Sequence, residues 1–135
     1  MLDNQQERGQ TERKLILLVE DDAAHASILY QILREETPHH VYYTSDGETA
    51  WRFLQQIKPH LLLLDYLLPR MNGLELYDKI RTVAKLRDLP VLMVSAVLTP
   101  EEAQEQGVEL IRKPFELDEL VDTVTRMLDT SSPSY

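Results

Sequence analysis

The sequence predicts an α/β fold: one doubly wound, five-stranded parallel sheet with helices on both faces. Two observations carry this. Apolar, strand-like runs alternate with helix-patterned segments five times along the chain. Such alternation gives parallel strands joined by right-handed helical crossovers. The second observation is that Leu61-Leu62-Leu63-Leu64 ends abruptly in Asp65. A run this short does not span a membrane. It reads as a strand buried on both faces, as in the middle of a parallel sheet. Its carboxylate then stands at the edge where open α/β sheets bind ligands.

The chain has 135 residues, enough for one domain. It divides into a flexible N-terminal segment (1–13), the folded domain (14–128) and a flexible tail (129–135). There are no cysteines, which excludes disulfides, thiolate metal sites and thiol nucleophiles and suits a reducing cytoplasm. Met1–Lys14 lacks the apolar core of a signal peptide. The net charge is −9, with 23 acidic against 14 basic residues. That argues against nucleic acid or an anionic membrane as direct partner, since both need a cationic surface. A cation or a basic protein patch remains open.

Taken in order, Lys14–Val19 is an apolar strand that runs into Glu20-Asp21-Asp22. Ala23–Glu36 places Ile28, Leu29, Ile32 and Leu33 on one helical face, and Pro38 stops it. Val41–Ser45 is β-branched and aromatic, a short edge strand. Ser45 and Glu48 stand at capping-box spacing before a helix over Glu48–Ile57. The Leu61–Asp65 strand follows. Pro69 and Gly73 then form a loop and release a helix over Gly73–Lys85. Pro90 opens a buried strand over Val91–Ala96 that carries Ser95 near its end. Thr99-Pro100-Glu101-Glu102 is a helix start, with a hydroxyl N-cap and proline in the first turn. Gly107 ends that helix after barely two turns. Val108–Arg112 is a last strand leading to Lys113, and Glu116–Leu128 is a final amphipathic helix.

In one parallel sheet the strand ends bring Asp21, Asp22, Asp65, Ser95 and Lys113 to one rim. Carboxylates crowded together repel unless a cation lies among them. Oxygen ligands without Cys or His favour a hard metal such as Mg²⁺, which binds through one or two carboxylates, waters and phosphate oxygens. Lys113 adds a point charge and Ser95 a hydroxyl. The set suits phosphoryl transfer to a carboxylate. Taken alone, Asp21-Asp22 also reads as an N-cap pair before the first helix. His25, His39, His40 and His60 have no ligand spacing and read as surface residues.

The segments Leu18-Val19-Glu20-Asp21-Asp22, Leu64-Asp65-Tyr66-Leu67-Leu68-Pro69-Arg70-Met71-Asn72-Gly73, Val94-Ser95-Ala96 and Arg112-Lys113-Pro114-Phe115, in this order, resemble the receiver domain of two-component response regulators. The resemblance covers nearly the whole chain. It implies a flavodoxin-like fold with strand order 2-1-3-4-5 and a stand-alone, single-domain type. It implies that Asp65 accepts a phosphoryl group from a histidine kinase or a histidine phosphotransfer protein. It also implies Mg²⁺ on Asp22, Asp65 and the backbone carbonyl of Leu67, with Asp21 helping through water. Ser95 and Lys113 would contact the acyl phosphate, and the Lys113–Pro114 peptide would be cis. The output would be a changed surface for a downstream protein. Such a domain catalyses only its own phosphorylation and dephosphorylation.

Three departures stand against the family pattern. Leu110 occupies the position of an aromatic switch residue. The segment from Ser95 to Lys113 is about four residues short, roughly one helical turn, so the fourth helix should be shortened. Leu67 and Val97 are apolar where relatives flank the hydrolytic water, which predicts slow self-dephosphorylation. Among rivals, a haloacid-dehalogenase-like phosphatase wants a second Asp where Leu67 stands. A flavodoxin-like electron carrier wants a glycine- and hydroxyl-rich phosphate loop after the first strand. A phosphorylation-independent pseudo-receiver interaction module would not need the site residues.

Overall fold

The computed structural model describes residues 13–130. The strands are β1 (Leu15–Val19), β2 (His40–Thr44), β3 (Leu61–Asp65), β4 (Val91–Ser95) and β5 (Glu109–Arg112). They form one parallel sheet in the order β2-β1-β3-β4-β5. The helices are α1 (Ala23–Glu36), α2 (Gly47–Gln56), α3 (Gly73–Arg81), α4 (Pro100–Gln106) and α5 (Leu117–Thr130). The expected doubly wound, flavodoxin-like fold is the one observed.

Strand alternation divides the core into two layers. Leu17, Val19, Leu62, Leu64 and Met93 face Ala50 and Leu54 of α2, Leu76 and Ile80 of α3, and Ala103 of α4. Ile16, Leu18, Leu61, Leu63 and Val94 face Leu29 and Leu33 of α1, and Leu120 and Val124 of α5. β3 lies mid-sheet and is buried at every position, which accounts for its unbroken leucines.

Several boundaries differ from the sequence reading, each for a local reason. α2 is capped by Asp46 rather than Ser45: the Asp46 carboxylate accepts from the Thr49 amide at 2.7 Å. A charged acceptor at a helix N-terminus also meets the positive end of the helix dipole. α3 stops at Arg81 rather than Lys85, and a 3₁₀ turn over Ala84–Leu86 follows. There the Thr82 hydroxyl donates back to the Lys79 carbonyl at 2.7 Å. α4 has the expected Thr99–Glu102 capping box and ends on Gly107 at φ 72°, a left-handed position suited to glycine. It is only seven residues long, as the short segment predicts. α5 extends through Asp129 and Thr130, which the sequence reading assigned to the tail. The expected flexible segment 1–13 lies outside the described residues except for Arg13, as does 131–135 of the tail.

Of the four histidines, His25, His40 and His60 are exposed as expected and His39 is not. His39 is buried at 7% exposure, and its Nδ1 accepts from the Lys14 amide at 3.0 Å. His60 Nδ1 accepts from the Leu15 amide at 2.9 Å, while the His60 amide donates to the Leu15 carbonyl at 2.8 Å. Two imidazoles therefore satisfy amides where the sheet begins, at the end opposite the acidic rim. An unpaired buried amide there would cost stability.

Candidate functional site

The site is set by register. β1 and β3 pair with Val19 opposite Leu64, so the next residues, Glu20 and Asp65, follow side by side at the strands' carboxyl ends. β4 pairs with β3 through Asp65 opposite Val94, and with β5 through Ser95 opposite Arg112. Lys113 follows directly, and its amide donates to the Ser95 carbonyl at 3.0 Å. β1 and β3 adjoin where the chain winds outward in both directions, which opens a crevice at their carboxyl ends.

Asp65 is buried at 7% exposure. The Lys113 ammonium donates to Asp65 Oδ1 at 3.3 Å and to Glu20 Oε1 at 3.4 Å, bridging the two carboxylates. The other oxygen of Glu20 accepts from the Asp22 amide at 3.1 Å. Burial pushes the Glu20 carboxyl above its ordinary value, and the neighbouring charge of Asp65 adds to this. The Asp22 amide and Lys113 pull the other way. The Tyr43 hydroxyl donates to the Glu20 carbonyl at 2.7 Å, fixing the backbone at the same corner.

Asp22 stands apart from this pair. Its exposed carboxylate caps α1, with Oδ1 accepting from the His25 amide at 3.0 Å. That contact holds the Asp22 carboxyl below its ordinary value. The buried acid beside Asp65 is Glu20, which the sequence reading left out of the site. The cap rule points to it: the third acid of the run is the N-cap, and the first directly follows the strand. Asp21 lies exposed between them.

Ser95 is buried, and its Oγ accepts from the amides of Val97 at 3.0 Å and Leu98 at 2.8 Å. The oxygen thus braces the loop after β4, while the hydroxyl proton remains available to donate. Leu67 is 59% exposed and Val97 53% exposed, both on loops that leave this rim. Arg70 takes a left-handed φ of 66° in the β3–α3 loop. The Lys113–Pro114 peptide is cis, as the resemblance implies. Leu110 is half-buried against the core layer that includes α4.

Among the described residues no three His, Asp or Glu side chains converge into a ready-made metal cage. The donors at the rim are instead the carboxylate oxygens of Glu20 and Asp65. Two neighbouring carboxylates, one held above its ordinary value, share a single ammonium. That excess of negative oxygen suits a Mg²⁺ ion that keeps much of its own water.

Fold and rim together define a doubly wound signalling domain with a lysine-bridged acid pair. The chain belongs to the response regulator receiver domain family, whose model matches residues 16–125. It is 34% identical over 122 residues to the DNA-binding transcriptional regulator NtrC of Azospirillum brasilense, covering 87% of this chain and 25% of that protein. It is 36% identical to the response regulator RppA of Synechocystis, covering 89% of this chain and 52% of that one. The chain therefore spans from about a quarter to about half the length of these relatives. It spans 97% of the receiver protein CpdR of Brucella abortus, at 31% identity over 85% of this chain. Among solved structures, the receiver domain of a Syntrophus aciditrophicus histidine kinase matches with a TM-score of 0.82 and 29% identity, covering 90% of this chain and 95% of that one. The receiver domain of a sensor histidine kinase from Pseudomonas aeruginosa, with magnesium coordinated in its active-site cleft, matches with a TM-score of 0.79 and 25% identity, covering 87% and 99%.

Proposed function

We propose that Asp65 is the phosphoacceptor of this receiver domain and takes its phosphoryl group from phosphohistidine. The observation that carries the reading is the bridge from Lys113 to Asp65 and Glu20 on a buried rim. An Asp65 oxygen attacks phosphorus; the new P–O bond forms as the P–N bond to imidazole breaks, and the imidazole takes up a proton. Lys113 then exchanges a carboxylate contact for a phosphoryl oxygen, where its charge offsets the charge carried by the group in flight. The Ser95 hydroxyl supplies a further donor.

Mg²⁺ would be held by Glu20, Asp65 and the Leu67 carbonyl, with Asp21 acting through water. When bound it offsets the negative charge of the carboxylates and phosphoryl oxygens. Asp22 is left to the helix. The donor would be a histidine kinase or a histidine phosphotransfer protein in the cytoplasm. The output would be a changed surface read by a downstream protein.

The test is incubation with Mg²⁺ and acetyl phosphate, followed by intact mass. The chain should gain one phosphoryl group and Asp65→Asn none. A parent chain that stays at its starting mass overturns the reading.

A further inference from the structure

We propose that His25 is a positioning residue for Lys113, and this rests on the phosphoacceptor reading above. The Lys113 ammonium has three neighbours: Asp65 Oδ1 at 3.3 Å, Glu20 Oε1 at 3.4 Å and His25 Nδ1 at 3.4 Å. An ammonium has three N–H donors and no acceptor, so this set accounts for all of them. An ammonium cannot accept, so a hydrogen bond between the two runs from Lys113 to His25 Nδ1.

The three acceptors are not equivalent during the reaction. Asp65 becomes an acyl phosphate. Glu20 is the carboxylate that a cation would claim. His25 is the acceptor that neither event consumes. It therefore keeps the lysine head at the rim while the other two contacts change. A lysine head rides on a flexible four-carbon stem, and holding it in place costs rotamer freedom.

His25 is itself well placed to do this. Its amide is tied to the Asp22 carboxylate by the cap of α1. Its ring lines an apolar groove of about 570 Å³, formed by Ile28 of α1 together with Ala96, Pro114 and Phe115. The imidazole thus links α1 to the loop after β5, and Lys113 lines the same groove. The Asp22 cap gains a role through this chain of contacts: it fixes His25, which fixes Lys113.

The experiment measures the maximal rate of acetyl-phosphate labelling by intact mass, at saturating Mg²⁺. It compares the parent chain with His25→Leu, which removes the acceptor, and with His25→Asn, whose oxygen can stand where Nδ1 does. Each substitution is repeated on Lys113→Met. His25→Leu should label about three- to tenfold more slowly, the loss expected for one hydrogen bond. His25→Asn should recover most of that rate. On Lys113→Met, the leucine should cost nothing further, because the interaction it removes is already gone. Mg²⁺ affinity should match the parent in both histidine variants. Parent-like labelling by His25→Leu overturns the inference. So does equal slowing by leucine and asparagine, or an undiminished leucine effect on Lys113→Met. A parent chain that takes no label overturns the phosphoacceptor reading itself and is distinguished by that.

Discussion

A β-carbon on Gly73 would stand 2.8 Å from the Asp65 carbonyl oxygen and 2.9 Å from the Tyr66 α-carbon. Gly73 is the first residue of α3, and its amide donates to the Tyr66 carbonyl at 2.8 Å. The loop that leaves Asp65 is thus folded tightly back on the helix that follows it. Gly73→Ala must push that loop or the Met93 sulfur aside. Overpacking of this kind costs about 1–3 kcal/mol. A lower Tm and slower labelling of Asp65 are expected together. A variant with the parent's Tm would show that the loop yields freely.

The proposed assignment of the metal to Glu20 rather than Asp22 can be read from Mg²⁺ linkage. A ligand at a hundredfold excess over its Kd stabilises the folded state by about 2.7 kcal/mol. Mg²⁺ should raise the Tm of the parent chain and of Asp22→Asn, which keeps the cap. It should raise that of Glu20→Gln much less. Without Mg²⁺, Glu20→Gln should melt higher than the parent. Folding raises the Glu20 carboxyl above its ordinary value, so its ionised form opposes folding near neutral pH, and glutamine removes that cost. A Tm response lost in Asp22→Asn and kept in Glu20→Gln would return the metal to Asp22.

Burial lowers the His39 imidazole below its ordinary value, with Lys14 adding to the shift. The unfolded chain therefore takes up the proton first. His39 contributes its full stability above the ordinary histidine range near 6.5, and that contribution is lost as pH falls below it. The loss is about 1.4 kcal/mol for each unit by which the two values differ. Between pH 7.5 and 5.5 the parent should lose more Tm than His39→Asn, whose oxygen can still accept from the Lys14 amide. Equal losses would assign the acid sensitivity to other groups.

Most of the fold was legible because its signals are local. Leu61–Leu64 reads as a strand buried on both faces, and Asp65 follows from where that run stops. Lys113 is found the same way, past the end of the last strand. Glu20 was harder. In Glu20-Asp21-Asp22 the acids are alike by composition, and their roles divide on strand pairing with Leu64 and on the first turn of α1. Both depend on where the strand ends and the helix begins. His25 and His39 were illegible for a further reason. Each acts on a distant partner, with Lys14 25 residues before His39 and Lys113 88 residues after His25. No spacing rule reaches that far.

The lifetime of the acyl phosphate is set by water at phosphorus. Leu67 and Val97 stand on the loops after β3 and β4, largely exposed, and neither side chain can accept a hydrogen bond from a water or take its proton. A water there must be oriented by solvent alone, without the advantage of a positioned partner. Once formed, the acyl phosphate should therefore persist well beyond seconds. Leu67→Asn gives the attacking water an acceptor and should shorten the lifetime several-fold, leaving the rate of labelling close to that of the parent. Its backbone carbonyl, the proposed Mg²⁺ ligand, is untouched by the change. The check is the decay of the phosphorylated mass after acetyl phosphate is removed. Loss from the parent within seconds would mean that some other group orients the water, and the apolar pair would then have no hold on the lifetime.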